Sequence, residues 1–215
     1  MSLNLRFFWT ETGIYSALLF LSALSIIILL SQHLRHPYVM HIDQGILSWF
    51  HSIRSTSLNH FFSTVTWMGS LWILLPLYLI VTIAVSPHIL HFEKMLGITF
   101  WGSVITAYVL KYELERTRPH FFGPIGELPI DPSFPSAHTA QITAFALGIS
   151  LALYTSQTTP QGWGLIVLLA FLAVSVAASR MYLQVHFPSD VLAGFLIALM
   201  WGIIALGIVK SGVLK

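Results

Sequence analysis

Six stretches of this chain are apolar over close to the length a helix needs to cross a bilayer: residues 14–31, 62–86, 95–111, 138–154, 163–178 and 191–209. The hydrocarbon core is about 30 Å thick and takes about 20 residues of helix, because backbone polar groups inside it must be satisfied within the segment. The first stretch follows Arg6 and Trp9 without a small-residue cleavage site, so it reads as an uncleaved helix and not as a removed signal peptide. The second contains Gly69, Ser70 and Pro76, which a membrane helix tolerates where neighbours take up the freed backbone groups. Six crossings put both termini on one side. The predicted fold class is all-α: a polytopic membrane protein, a six-transmembrane-helix bundle, with residues 1–215 forming a single membrane-embedded domain.

Two connections have patterns of their own. Residues 43–54 interleave Ile46, Leu47, Trp49, Phe50 and Ile53 with Gln44, Ser48, His51 and Ser52, which suits a short interfacial helix or a solvated loop with aromatic anchors. Residues 112–136 carry Pro119, Gly123, Pro124, Gly126, Pro129, Pro132 and Pro135, which forbid a long helix. Connections this long are uncommon unless they serve a function.

Composition narrows the class. Charged residues make up 8% of the chain and hydrophobic ones 56%, with a mean hydropathy of +0.79. Soluble domains carry roughly 25% charge, so a soluble globule, a disordered chain and a nucleic-acid binder are all excluded. With no cysteine, disulfides, thiolate metal sites and a thiol nucleophile are excluded too. The net charge of +2 says little, but its distribution says more. Arg6, Lys94, Lys210 and Lys215 fall on the terminal side, and Arg35, Arg54, Lys111, Arg116, Arg118 and Arg180 on the other. If the last four form a site, four basic residues stand against two, which places the termini in the cytoplasm and the site on the periplasmic or extracellular face of the cell membrane.

Polar clusters at membrane boundaries are functional candidates, because they are costly unless paired or used. The first runs from Lys111 to Pro119; Lys111 and Arg118 share a helix face if the third span continues to the proline, with Glu113, Glu115 and Arg116 as the solvated remainder. Taken alone it is also a snorkelling basic collar. The second is Pro135-Ser136-Ala137-His138, where Ser136 caps the fourth span. The amides and dipole of such a helix N-terminus attract anions, and a histidine in its first turn can donate a proton. The third runs from Ser179 and Arg180 through His186 to Asp190, with Pro188 opening the sixth span. His186 and Asp190 are four residues apart, close enough in a helix for the carboxylate to orient the imidazole.

In order and internal spacing, Lys-x6-Arg-Pro, Pro-Ser-x-His and Ser-Arg-x5-His-x3-Asp resemble the three-part signature of the type 2 phosphatidic acid phosphatase superfamily. The resemblance covers residues 111–190, and the topology of the whole chain agrees with it. It departs at Ala137, where the family more often has glycine.

The resemblance implies an interfacial active site and a membrane lipid phosphatase that needs neither metal nor cofactor. In it His186 attacks phosphorus, Asp190 orients His186, and His138 protonates the departing oxygen. Lys111, Arg118, Arg180, Ser136 and the amides near Ala137 hold the phosphate. Three cations and one carboxylate match a phosphate dianion. The expected partners are the bilayer and a lipid phosphate or diphosphate, such as undecaprenyl diphosphate, phosphatidylglycerol phosphate or phosphatidic acid, with no nucleic acid. A phosphotransferase using the same site, and a non-enzymatic binder of anionic lipids, are the alternatives. Of the other histidines, His33, His36, His41, His51, His60, His88 and His91 read as interfacial, and His120 adjoins the first motif closely enough to touch substrate.

Overall fold

The computed structural model of the chain describes residues 11–156 and 159–211; Arg6, Trp9 and Lys215 lie outside them. Among the described residues every regular element is helical: α1 (Glu11–His33), α2 (Pro37–Ser52), α3 (Thr56–Val65), a 3₁₀ turn (Thr66–Gly69), α4 (Leu71–Val85), α5 (Phe92–Leu114), α6 (Ala137–Thr155), α7 (Pro160–Tyr182) and α8 (Pro188–Ser211). Helix starts follow local chemistry. Ser55, Ser70, Ser136 and Thr159 cap α3, α4, α6 and α7 through their side-chain oxygens, and Pro37, Pro160 and Pro188 occupy first-turn positions where a missing N–H costs nothing.

Four helices, α1, α6, α7 and α8, are individually long and apolar enough to cross a bilayer, and α3 with α4 makes a fifth candidate if the pair is one bent span. The second predicted span is therefore not a straight helix: it breaks at Ser70, just after the 3₁₀ turn, and bends by 50°. The interfacial segment is a helix, longer than predicted. α5 has 23 residues but carries Glu93, Lys94, Lys111 and Glu113 near its ends.

α5, α6 and α8 pack together at the centre, with Phe92, Met95, Leu96 and Phe100 of α5 meeting Ile142, Phe145 and Ile149 of α6. α1 lies on α8 through Ala23, Ile27, Leu196 and Ile197. Inside the bundle the buried hydroxyls of Thr99 and Ser103 donate to Met95 O and Thr99 O, both at 2.7 Å. The outer surface is apolar as well: Leu18, Leu29, Ile83, Val167, Phe171 and Val174 are all exposed. Apolar faces on both sides of a helix suit lipid on one and protein on the other.

Small residues allow close approach where the helices converge on the polar end. A Cβ on Gly194 of α8 would lie 2.6 Å from the backbone oxygen of Ser136, and one on Gly69 would lie 2.6 Å from Val176 and 3.1 Å from the backbone oxygen of His138. These two glycines bring α8 and the bend after α3 against the start of α6. Gly164 on α7 faces open space. Gly194→Ala is expected to lower thermal stability in detergent by about 1–3 kcal/mol, while Gly164→Ala stays within about 1 kcal/mol of the parent; equal effects would mean that the α6–α8 approach is not tight.

Candidate active site

The three polar clusters meet at one end of the bundle, where α5 and α7 finish and α6 and α8 begin. α5 stops at Leu114, five residues before Pro119, because Glu115 takes a left-handed conformation with φ 43° and its amide returns to Lys111 O at 3.2 Å. The third span does not continue to the proline, so Lys111 and Arg118 do not share the helix face that their spacing would give on a continuous helix. The chain turns inward at Arg116, and Ser133 N donates to Arg116 O at 2.7 Å, which closes the neck of loop 115–136.

His186 lies in the connection between α7 and α8, and Asp190 in the first turn of α8, so the pair is not helical throughout. Nδ1 of His186 is 3.4 Å from Asp190 Oδ2, and Nε2 is 3.3 Å from Nη1 of Arg118. A guanidinium can only donate, so the network assigns the proton to Nδ1 and the lone pair to Nε2. Asp190 Oδ2 also accepts from the amide of Phe187 at 2.8 Å and from the hydroxyl of Ser133. Burial first, and then the charges of Arg118, Arg180 and Lys111 and the neighbouring His138, hold the His186 imidazolium well below its ordinary pKa. The ring is neutral near neutral pH, with a free lone pair among cations.

Lys111 and Arg118 both reach Asp131, at 2.9 and 2.8 Å, and Lys111 also donates to Pro132 O. Arg118 is held by two backbone carbonyls as well, Asp131 O at 2.9 Å and Val185 O at 2.6 Å. Arg180 is buried at the end of α7 and donates to Thr66 Oγ1 at 2.6 Å, while its Nε is buried without a hydrogen-bond partner. Ser136 caps α6 by accepting from Thr139 N at 3.4 Å. The helix itself makes no use of the Ala137 and His138 amides. His138 sits in the first turn of α6, half-buried beside Gly69.

Arg116 overturns an expectation. It is not part of a solvated remainder but 6% exposed, paired with Asp190 at 2.5 Å and Asp43 at 2.9 Å, with Phe187 covering it at 3.9 Å. Glu113 and Glu115 are exposed, as expected, and His120 is exposed with its ring tilted against Phe121.

Asp43, Ser133, Thr66 and Asp131 were not legible as site residues. For Asp43 a signal existed: it stands at i, i+4 and i+7 with Leu47 and Phe50, and these three residues form the buried face of α2. Thr66 and Ser133 carry no comparable pattern.

The model of the PAP2 superfamily matches residues 94–212, more than half of the chain and all of the site on α5 to α8. The chain belongs to the PAP2 superfamily. Among relatives of this PAP2 protein, phosphatidylglycerophosphatase B of Bacillus subtilis is 28% identical over 165 residues, 75% of this chain and 80% of the relative. An undecaprenyl-diphosphatase of Sulfolobus acidocaldarius is 32% identical over 145 residues, 63% of this chain and 66% of the relative. In three dimensions the chain is similar to the transmembrane PAP2-type phosphatidylglycerolphosphate phosphatase of Bacillus subtilis, with a TM-score of 0.78 and 25% identity over 91% of this chain and 97% of that one. The LpxE structure of Aquifex aeolicus shares the fold, with a TM-score of 0.63 and 24% identity over 76% and 93%. The protein is a multi-pass membrane member of this group of lipid phosphatases.

Beside the PAP2 site an apolar cavity of about 560 Å³ opens between α6, α7 and α8, from Thr139 and Pro188 next to the polar cluster down to Ile166 and Phe195. The four buried cations Lys111, Arg116, Arg118 and Arg180 face the three carboxylates Asp43, Asp131 and Asp190, an excess of one positive charge that becomes two without Asp131. Burial pushes the Asp131 carboxyl up, but Lys111 and Arg118 outweigh it and hold the group below the ordinary carboxylate range. A carboxyl depressed by folding adds stability above its unfolded pKa and loses it as pH falls through the lower folded value, so this contact weakens only below about pH 4. At neutral pH Asp131 occupies Lys111 and Arg118, two of the three cations that the sequence motifs lead one to expect at a phosphate. Asp131→Asn is expected to tighten binding of inorganic phosphate, read by inhibition or calorimetry, on the order of ten-fold, equivalent to about 1.4 kcal/mol; unchanged binding would mean that carboxylate and phosphate do not compete.

Proposed function

We propose that this protein hydrolyses a lipid phosphate or diphosphate at the membrane interface through a phosphohistidine on Nε2 of His186. One observation carries the reading: the Nε2 lone pair lies 3.3 Å from the Arg118 guanidinium, in the field of Arg180 and Lys111 as well, while Nδ1 lies 3.4 Å from the buried Asp190 carboxylate. Nε2 attacks phosphorus as the bond to the lipid oxygen breaks, and His138 gives that oxygen its proton. Charge on the three equatorial oxygens falls to the three cations, to the Ser136 hydroxyl and to the first-turn amides of α6. Water, deprotonated by His138, then breaks the N–P bond and releases phosphate.

This mechanism routes no step through a metal, because the side chains supply the charge. The similarity to a phosphatidylglycerophosphatase and an undecaprenyl-diphosphatase supports a lipid substrate, and the apolar cavity starting one residue from His138 supports a hydrocarbon chain lying between α6, α7 and α8. With α5 as a span shielded by its neighbours and α3–α4 as one bent span, the chain crosses six times. The site then lies opposite the termini, on the outer face by the distribution of basic residues.

The purified protein in detergent is expected to release phosphate from undecaprenyl diphosphate, phosphatidylglycerol phosphate or phosphatidic acid in excess EDTA, and the ranking of rates identifies the substrate. His186→Ala abolishes release, and Arg180→Ala lowers kcat by about 10²–10³-fold. Loss of activity in EDTA, restored by a divalent cation, would refute metal independence. Turnover by folded His186→Ala would refute the nucleophile, and phosphate release that falls as a lipid acceptor is added would point to transfer instead of hydrolysis.

A further inference from the structure

Behind the His186–Asp190 pair lies a second layer of charge that the mechanism above does not use. The Arg116 guanidinium donates through Nη1 to Asp190 Oδ1 at 2.5 Å and to Ser189 Oγ at 2.7 Å. Through Nη2 it donates to Asp43 Oδ2 at 2.9 Å and to Leu34 O at 3.3 Å. Asp43, 1% exposed on α2, also accepts from the amide of Ser189 at 2.9 Å and its hydroxyl at 2.6 Å. One guanidinium therefore sits between two buried carboxylates, one of which orients His186.

We propose that Asp43 is a positioning residue for the reaction: by sharing Arg116, it leaves Asp190 with a net negative charge to offer His186. The inference rests on the reading of His186 as nucleophile. A lone carboxylate 2.5 Å from a guanidinium is a neutral pair, and a neutral pair does little for a neighbouring positive charge. A second carboxylate on the same guanidinium leaves the cluster with one negative charge. His186 needs that charge, because its ring becomes positive when Nε2 bonds to phosphorus while Nδ1 keeps its proton. The other charged and titratable groups that act on it are Arg118 from loop 115–136, Lys111 from α5, His138 from α6 and Arg180 from α7, while the nearby Asp131 is engaged with Lys111 and Arg118. A mechanical tie between α2 and α8 does not require Arg116, since Asp43 already holds the amide and hydroxyl of Ser189.

The sign of a pH shift distinguishes this role from a structural one. Asp43→Asn makes the cluster neutral: kcat is expected to fall about ten-fold with KM unchanged, and the acid limb of kcat/KM to move to lower pH by on the order of half a unit. Arg116→Gln makes the cluster doubly negative and moves the limb to higher pH. The double variant restores one negative charge and returns the limb toward the parent's position, whatever its loss in thermal stability. Substrate ionisation is common to all four proteins, so the differences report the enzyme. Either single variant decides by its sign if the other does not fold. Limbs that stay in place, or that move the same way in both variants, would overturn the proposal. If instead His186→Ala retains turnover, the nucleophile assignment itself has failed and the role of Asp43 falls with it, whereas limbs that stay in place with an inactive His186→Ala overturn the role of Asp43 alone.

Discussion

Charge held at the end of an apolar bundle must be neutralised by the protein itself, since neither lipid nor distant water will do it. Lys111, Arg116, Arg118 and Arg180 come from α5, loop 115–136 and α7, and Asp43, Asp131 and Asp190 from α2, the same loop and α8. Pairing them fixes where α2 docks, where α5 stops, how loop 115–136 folds back and how α8 begins. Removing one partner of a buried pair costs about 3–5 kcal/mol because the other charge is stranded. The polar end of the molecule is thus as strongly determined as the apolar contact between α5 and α6.

The charge is also arranged in layers. Arg118 lies against Nε2 of His186, with the charges of Arg180 and Lys111 also felt by the ring, and Asp190 with Arg116 and Asp43 lies on the Nδ1 side. An imidazole between a positive and a negative layer is polarised along the line from Nδ1 to Nε2, the direction in which a nucleophile would donate electrons. In the proposed reading the apolar cavity beside it joins this chemistry to the membrane, so that a headgroup would meet the cations while its chain stays out of water.

The three motifs and most spans were legible because each rests on local rules: apolar length, a serine before a helix, a proline at its first turn. The site was legible to the extent that its residues lie in those motifs. Arg116 was not. It occupies the same motif as Arg118, two residues away, and only the left-handed turn at Glu115 sends one to Asp43 and Asp190 and the other to Asp131 and His186. Asp43 lies 73 residues before its partner in the chain, and Asp131 lies among prolines that rule out a helix but leave the loop's course open.

By itself the sequence determined that the chain is a membrane protein, where its long apolar helices run, and which residue types gather at one interface, because hydropathy, capping and spacing act over a few turns of chain. Tertiary structure alone decided which cation meets which carboxylate, that Thr66 before the bend of the second span reaches Arg180, and that His186 presents Nε2 to Arg118. Those choices depend on distances of a few ångströms between segments far apart in sequence, and electrostatic pairing in a low dielectric is governed by such distances.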